Sequence, residues 1–176
     1  MLGRDGTVAV DLAFTTWGER NSKTLLLIHG IAGCGRIWEP IAYSLAEGFR
    51  VLAPDLRGHG ASPWANSYTP EEYLTDIDSF VARRELGPVV LIGHAIGGLL
   101  CAGYAIRHPQ QARALVCIDI NLPPPGWQID RIRAIGSEPW PVFPSRGAAV
   151  AFFASADADY VTGQVLSVSG GLTMVG

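Results

Sequence analysis

The sequence predicts an α/β fold in which a mostly parallel β-sheet carries helices on both faces. Three observations predict it. Short apolar segments alternate over the first 120 residues with segments of helical periodicity, which is typical of β-α-β units. Two apolar segments, Thr24–Ile28 and Pro88–Ile92, lack a polar face, as strands buried on both sides require. Glycine-rich or charged loops follow them, so a functional edge is expected where the strands end.

The predicted elements begin with an edge strand. Val8–Thr16 alternates loosely between apolar and polar residues, which favours an antiparallel edge. Thr24–Ile28 is the first central strand. Apolar residues at helical spacing predict a helix over residues 37–45, which Gly48 is placed to end. Arg50–Ala53 is the next short strand.

The strongest helix start lies at Thr69–Glu72. Thr69 is suited to cap the helix, Pro70 suits the first helical position, and Glu72 completes a capping box. After the strand at Pro88–Ile92, a helix is expected over 96–107 and a further strand over 114–118. The order β, α, β, α, β, α, β implies right-handed crossovers.

The regular order ends after Ile120. Six of the twelve prolines lie between Asn121 and Ser145, which indicates a connector. The predicted organisation is therefore a core over 1–120, a Pro-rich connector over 121–145 in the place of a cap, and a C-terminal helix and strand over 146–176.

Composition excludes several function classes. With a net charge of −3, the chain has no basic field for nucleic acid or anionic lipid. The apolar stretch 89–106 has the length of a short membrane span, but its glycines indicate a break, so no membrane partner is expected. Three widely spaced cysteines are expected to be reduced, and a cytoplasmic location follows. No metal or cofactor is expected, because paired ligand spacings are absent.

Three loops carry the chemistry. They read HGIAG over 29–33, DLRGHGAS over 55–62 and GHAIGG over 93–98. In this order the chain resembles the α/β-hydrolase family over residues 8–120, and the three loops resemble that family's oxyanion loop, post-strand loop and nucleophile elbow. The resemblance implies a truncated form of that fold, without the cap and the last strands.

The anion-stabilising half of such a site is present in the sequence. Small residues at Gly93, Gly97 and Gly98 allow strand and helix to pack closely around the elbow. By resemblance, the backbone N–H groups of Ile31 and Ile96 are expected to stabilise an oxyanion. The expected ligand is a small carbonyl compound.

The nucleophile and the base of such a site are not present in the sequence. Ala95 stands at the nucleophile position and has no heteroatom that could attack. The family's triad continues with an acid and a late histidine, but all four histidines occur by residue 108. Asp119 follows a strand and is a weak acid candidate, although a loop or capping role is favoured. His29 and His59 are weak base candidates, with loop organisation by their rings favoured.

Three functions follow as hypotheses. The first is a non-catalytic or degenerate hydrolase. The second is a hydrolase of small esters, amides or carbamates that uses water and the oxyanion hole, since family members similar to the aminoacrylate hydrolases also carry Ala in a GHALG-type elbow. The third is association through the C-terminal tail.

The tail supplies a second resemblance. AAVAFFASADADYVTGQVLSVSGGLTM is similar to the C-terminal helix and last strand of the short-chain dehydrogenase/reductase family over residues 147–174. Tyr160 has Gln164 four residues later rather than the lysine of that family's catalytic set, so no nicotinamide cofactor is expected. The resemblance implies self-association through 146–176.

Overall fold

The computed structural model describes residues 8–120 together with 144, 145, 147 and 148. Apart from the last two residues, the chain divides into two compact units, Met1–Leu122 and Pro123–Met174. In the second unit, the backbone N–H of Ala148 donates to Ser145 Oγ at 3.1 Å. Apart from residues 147 and 148, the predicted tail helix and strand lie outside the described residues.

The first unit is built on a five-stranded sheet with the spatial order β1-β3-β2-β4-β5. β1 pairs antiparallel with β3, and the other neighbours are parallel. The mostly parallel α/β fold predicted from the sequence is therefore confirmed. The strands are β1 (Phe14–Trp17), β2 (Thr24–Ile28), β3 (Arg50–Pro54), β4 (Val89–His94) and β5 (Ala112–Ile118).

The helices are α1 (Glu39–Leu45), α2 (Pro70–Arg83) and α3 (Ile96–Arg107), and a 3₁₀ turn at Gly35–Trp38 precedes α1. The capping box of α2 forms as predicted. Thr69 Oγ1 accepts from the backbone N–H of Glu72 at 3.3 Å, and Glu72 Oε2 accepts from that of Thr69 at 2.8 Å. The helix predicted over 37–45 begins two residues late, because its first turn has 3₁₀ geometry.

Helices cover both faces of the sheet. Leu26 and Ile28 of β2 point to the side of α2 and α3, in a cluster that includes Ile77 and Leu100. Leu25 and Leu27 point to the opposite side, where the cluster includes Trp38 and Ala42. A strand with apolar residues on both faces fits only between two layers of helix. The apolar sequence of Thr24–Ile28 therefore predicts a central strand.

The edge strand predicted over Val8–Thr16 is shorter than expected. Regular pairing begins only at Phe14. Upstream, the backbone N–H of Val10 donates to Asp76 Oδ1 at 2.8 Å and that of Ala13 to Ser62 Oγ at 2.9 Å. Side chains of other elements therefore take the hydrogen bonds that a longer strand would have given to β3.

The apolar stretch 89–106 is divided between β4 and α3. Across the described ranges, no helix combines the length and the apolar character that crossing a bilayer demands.

A buried ion pair fastens the loop after β3 to α2. Arg57 Nε donates to Asp76 Oδ2 at 2.6 Å and Arg57 Nη2 to Asp76 Oδ1 at 2.9 Å. Arg57 is 2% exposed and Asp76 is fully buried. Hydrogen bonding to Asp76 raises the pKa of the guanidinium group. Arg57 also donates to the backbone carbonyls of Ser67 and Glu72, so it braces the loop.

The Asp76→Ala variant is expected to unfold far more easily than the wild type. The substitution removes the carboxylate that accepts from Nε and Nη2 of Arg57 and leaves only Glu72, 3.3 Å from Nη1, beside the buried charge. Removing one partner of a buried ion pair costs about 3–5 kcal/mol in comparable sites. Urea unfolding followed by circular dichroism measures the loss. The matched control is Arg36→Ala, which removes the exposed pair with Glu39 and is expected to leave stability close to that of the wild type. Equal stability of the two variants would contradict the assignment.

Candidate active site

The loops after β2, β4 and β5 start side by side because the three strands are parallel neighbours. β2 and β4 pair over five residues, from Thr24 beside Val89 to Ile28 beside Gly93. β4 and β5 end with His94 beside Ile118. The HGIAG and GHAIGG segments therefore meet at the carboxyl edge of the sheet, where open α/β sheets bind their ligands.

Ala95 forms a sharp turn between β4 and α3. Its backbone has φ 49° and ψ −120°, a left-handed conformation that residues with a Cβ rarely adopt. Such a conformation costs about 1–3 kcal/mol and persists only where its surroundings impose it. The backbone N–H of Ala95 donates to Ile118 O at 2.9 Å, and its carbonyl accepts from the N–H of Gly98 at 3.0 Å. The side chain at this turn is a methyl group.

The elbow glycines are needed for close packing. A Cβ at Gly93 would overlap the backbone of Gly97, and a Cβ at Gly97 would overlap the carbonyl oxygen of Ile28. A Cβ at Gly98 would lie 2.7 Å from Ile120 Cγ2. A side chain at Gly93 or Gly97 would therefore push the start of α3 away from the ends of β2 and β4, whereas one at Gly98 would displace the side chain of Ile120.

The loop after β2 lies directly against the elbow. A Cβ built on Gly30 would lie 3.2 Å from Ala95 Cβ and 2.9 Å from His94 Nδ1. Ile31 follows in a turn and is exposed. Ile96 is the first residue of α3, where backbone N–H groups have no partner within the helix. The oxyanion role of Ile31 and Ile96 stays a prediction.

His29 joins this loop to the loop after β3. Its Nε2 accepts from the backbone N–H of Leu56 at 2.9 Å, and its Nδ1 lies 2.7 Å from the carbonyl oxygen of Gly30. Nδ1 therefore carries the proton, and the lone pair on Nε2 is already used. The side chain is fully buried, and burial lowers the pKa of the ring to about 4. The geometry matches loop organisation better than proton transfer.

His59 is also held by its own loop. Its Nδ1 lies 2.9 Å from the carbonyl oxygen of Arg57, which can only accept, so Nδ1 is the donor. The ring is buried and its centroid lies 5.2 Å from that of His29. The two weak base candidates are thus brought together, both as buried neighbours of the loop after β3.

Asp55 and Ser62 complete this loop. Asp55 Oδ1 accepts from the backbone N–H of Gly35 at 2.6 Å, and Oδ2 accepts from that of Ala61 at 2.8 Å. Ser62 Oγ donates to the carbonyl of Asp55 at 2.6 Å. Gly60 has φ 52°, and a Cβ there would overlap the Asp55 carboxylate. The DLRGHGAS segment is consequently a tightly braced loop.

Asp119 lies opposite His94. Its Oδ2 is 3.9 Å from His94 Nε2, with 81% of the Asp119 side chain and 38% of the His94 side chain exposed. From the sequence, Asp119 is a weak acid candidate for which a loop or capping role is favoured, and His94 is expected only to pack beside the elbow. The positions of the two residues bring them together, because His94 ends β4 and Asp119 directly follows β5, its parallel neighbour. His108, by contrast, bonds to Asp78 at 2.9 Å at the other end of α3.

The described ranges contain no cluster of three or more His, Cys, Asp or Glu side chains placed to hold a metal ion. Apart from residues 147 and 148, the residues that resemble a reductase tail lie outside those ranges.

Comparisons with known proteins agree with this geometry. The family model described as alpha/beta hydrolase fold matches residues 23–141. The chain is 37% identical over 110 residues to Lipase LipV of Mycobacterium tuberculosis, covering 62% of this chain and 42% of the lipase. It is 32% identical over 100 residues to Putative carbamate hydrolase RutD of Yersinia enterocolitica, covering 56% and 36%.

A solved structure titled Marine microorganism esterase superposes with a TM-score of 0.72 at 26% identity, covering 88% of this chain and 60% of that one. The chain spans about two fifths of the length of the curated relatives named above.

Stability is expected to fall in acid because of His29. Its pKa is near 6.5 in the unfolded chain and about 4 in the folded protein. As pH falls from 6.5 to 4, the unfolded state therefore gains a proton that the folded state refuses. The free energy of unfolding decreases over this window by roughly 3 kcal/mol.

Urea unfolding between pH 4 and 7 measures this slope. His29→Phe keeps a buried ring and removes the titrating group, so it is expected to flatten the slope. At neutral pH the variant is also less stable, because the Leu56 N–H loses its acceptor. A wild-type slope in the variant would refute the assignment.

Proposed function

The chain belongs to the α/β-hydrolase fold family, and from this premise we propose that its elbow binds a small carbonyl compound without forming an acyl-enzyme. Ala95 carries the proposal: it has the strained backbone conformation of a nucleophile elbow, and its side chain is a methyl group. A methyl group has no lone pair with which to attack a carbonyl. The site therefore keeps recognition without covalent catalysis.

Recognition is assigned to backbone groups. In the proposal, the N–H groups of Ile31 and Ile96 donate to the carbonyl oxygen of the ligand. The amino end of α3 adds partial positive charge at the same place. Esters, amides and carbamates all present such an oxygen, and the methyl group of Ala95 leaves the volume of a serine hydroxyl free beside it.

The hydrogen bonds of three histidine rings favour non-catalytic binding over serine catalysis. Serine attack needs a histidine within hydrogen-bond reach of the hydroxyl. His29 uses its lone pair on Leu56, His59 lies buried against Arg57, and His108 is held by Asp78. None of these three is arranged as a triad base.

Direct hydrolysis by water is a second candidate function. The observation that favours it is His94, whose side chain is 38% exposed beside the elbow and faces a carboxylate. Two relatives support the same class, since one is named a lipase and the other a carbamate hydrolase. Association through residues 146–176 and a cytoplasmic location stay predictions.

Ligand binding is expected to be visible at the two backbone donors. Titration of ¹⁵N-labelled protein with ethyl carbamate is expected to shift the amide resonances of Ile31 and Ile96, because their hydrogen bonds change. Gly48 precedes β3 at the opposite edge of the sheet and is the internal control. Its amide resonance is expected to stay unshifted. Equal shifts at all three positions, or none at any, would count against the proposed site.

Ala95→Ser is expected to gain no serine reactivity. The hydroxyl would lack the histidine of a serine triad, because His29, His59 and His108 bond to Leu56, Arg57 and Asp78. Loss of triad members lowers serine hydrolase rates by roughly 10⁴–10⁶-fold. A fluorophosphonate probe analysed by intact-mass spectrometry measures labelling, with an active serine esterase as positive control. Neither the wild type nor the variant is expected to be labelled. Stoichiometric labelling of the variant would show that a competent base is present.

A further inference from the structure

The geometry points to His94 as the group that takes a proton from water at the ligand carbonyl, with Asp119 as its positioning residue. The inference rests on the second candidate function, direct hydrolysis. It names the residue that would perform the proton transfer and the acid that would orient it.

The sheet itself brings the pair together. His94 is the last residue of β4 and lies beside Ile118, the last residue of β5. Asp119 follows directly with φ 52°, which turns the chain at the strand end. His94 Nε2 and Asp119 Oδ2 are then 3.9 Å apart, which is longer than a hydrogen bond. In the proposal, Asp119 moves closer and accepts the proton of Nε2 as a hydrogen bond when the ligand is bound.

The other ring nitrogen of His94, Nδ1, lies beside Gly30 of the oxyanion loop, where the proposed ligand binds. A Cβ on Gly30 would lie 2.9 Å from His94 Nδ1 and 3.2 Å from Ala95 Cβ. Nδ1 and the methyl group therefore flank the same point of the oxyanion loop, and glycine leaves that point open. In the proposal, Nε2 carries the proton and Nδ1 keeps a lone pair at the junction of loop and elbow.

The remaining histidines are committed elsewhere. All four histidines of the chain are described. His29 accepts from Leu56 through its unprotonated nitrogen, and His59 is buried against the loop after β3. His108 lies at the other end of the twelve-residue helix α3, about 18 Å away along its axis. His94 alone combines exposure with a place at the elbow.

The step balances with water and an ester or carbamate. Nδ1 of His94 takes a proton from water as the new O–C bond forms, and the carbonyl π electrons move to oxygen. The N–H groups of Ile31 and Ile96 stabilise that oxyanion. Collapse breaks the bond to the leaving group, which takes the proton from His94 and departs as an alcohol. The products are a carboxylic or carbamic acid and that alcohol.

Hydrolysis of p-nitrophenyl acetate by the full chain tests the assignment. His94→Gln is expected to lower kcat about 100-fold with KM little changed, and to abolish the solvent deuterium isotope effect on kcat. Asp119→Asn is expected to lower kcat about 10-fold, and Asp119→Glu to restore most of it. His108→Gln, at the far end of α3, is the matched control and keeps wild-type kcat. Circular dichroism and Tm establish that each variant is folded.

The possible outcomes distinguish failure of direct hydrolysis from failure of the role of His94. Wild-type protein that gives no turnover above the protein-free rate overturns direct hydrolysis, and the role of His94 with it. Turnover that is equal in the wild type and His94→Gln overturns the role of His94 alone, and leaves direct hydrolysis standing. Loss of kcat in His94→Gln, with the control unaffected, supports both.

Discussion

The parallel register between β2 and β4 is the constraint on which the candidate site depends. It sets Ile28 beside Gly93, so the loops after the two strands leave the sheet at one level. Gly97 then lets α3 begin against the carbonyl end of β2. Since backbone packing imposes the turn at Ala95, the elbow conformation is kept without a nucleophilic side chain. The backbone conformation of the elbow therefore does not depend on the presence of a nucleophilic side chain.

Two buried polar side chains make the surrounding loops rigid. Arg57 fastens the loop after β3 to α2 through Asp76, and His29 links the same loop to Gly30. Buried polar groups are stable only when their hydrogen bonds are made, so both side chains are committed to structure. In the proposal, the chemistry at this edge of the sheet therefore falls to backbone donors and to the more exposed His94.

This division explains how a hydrolase fold could bind a carbonyl ligand without a serine. Electrostatic recognition depends on fixed N–H groups, whereas covalent attack depends on one oxygen atom and its base. In the proposal, the start of α3 and the loop beside it supply the N–H groups. Two relatives of the chain are named a lipase and a putative carbamate hydrolase, and the proposed water reaction needs only one proton acceptor beyond that recognition.

The sequence by itself determined the local features: β2 at Thr24–Ile28, α3 at Ile96–Arg107, the capping box of α2 and the missing heteroatom at Ala95. Periodicity, capping and residue identity act over a few neighbours, so they are readable in one dimension. Only the tertiary structure decided that Asp119 faces His94, that His29 uses its lone pair on Leu56, and that Arg57 is paired with Asp76. Those contacts depend on strand order and side-chain direction, which long-range packing sets and local sequence does not encode.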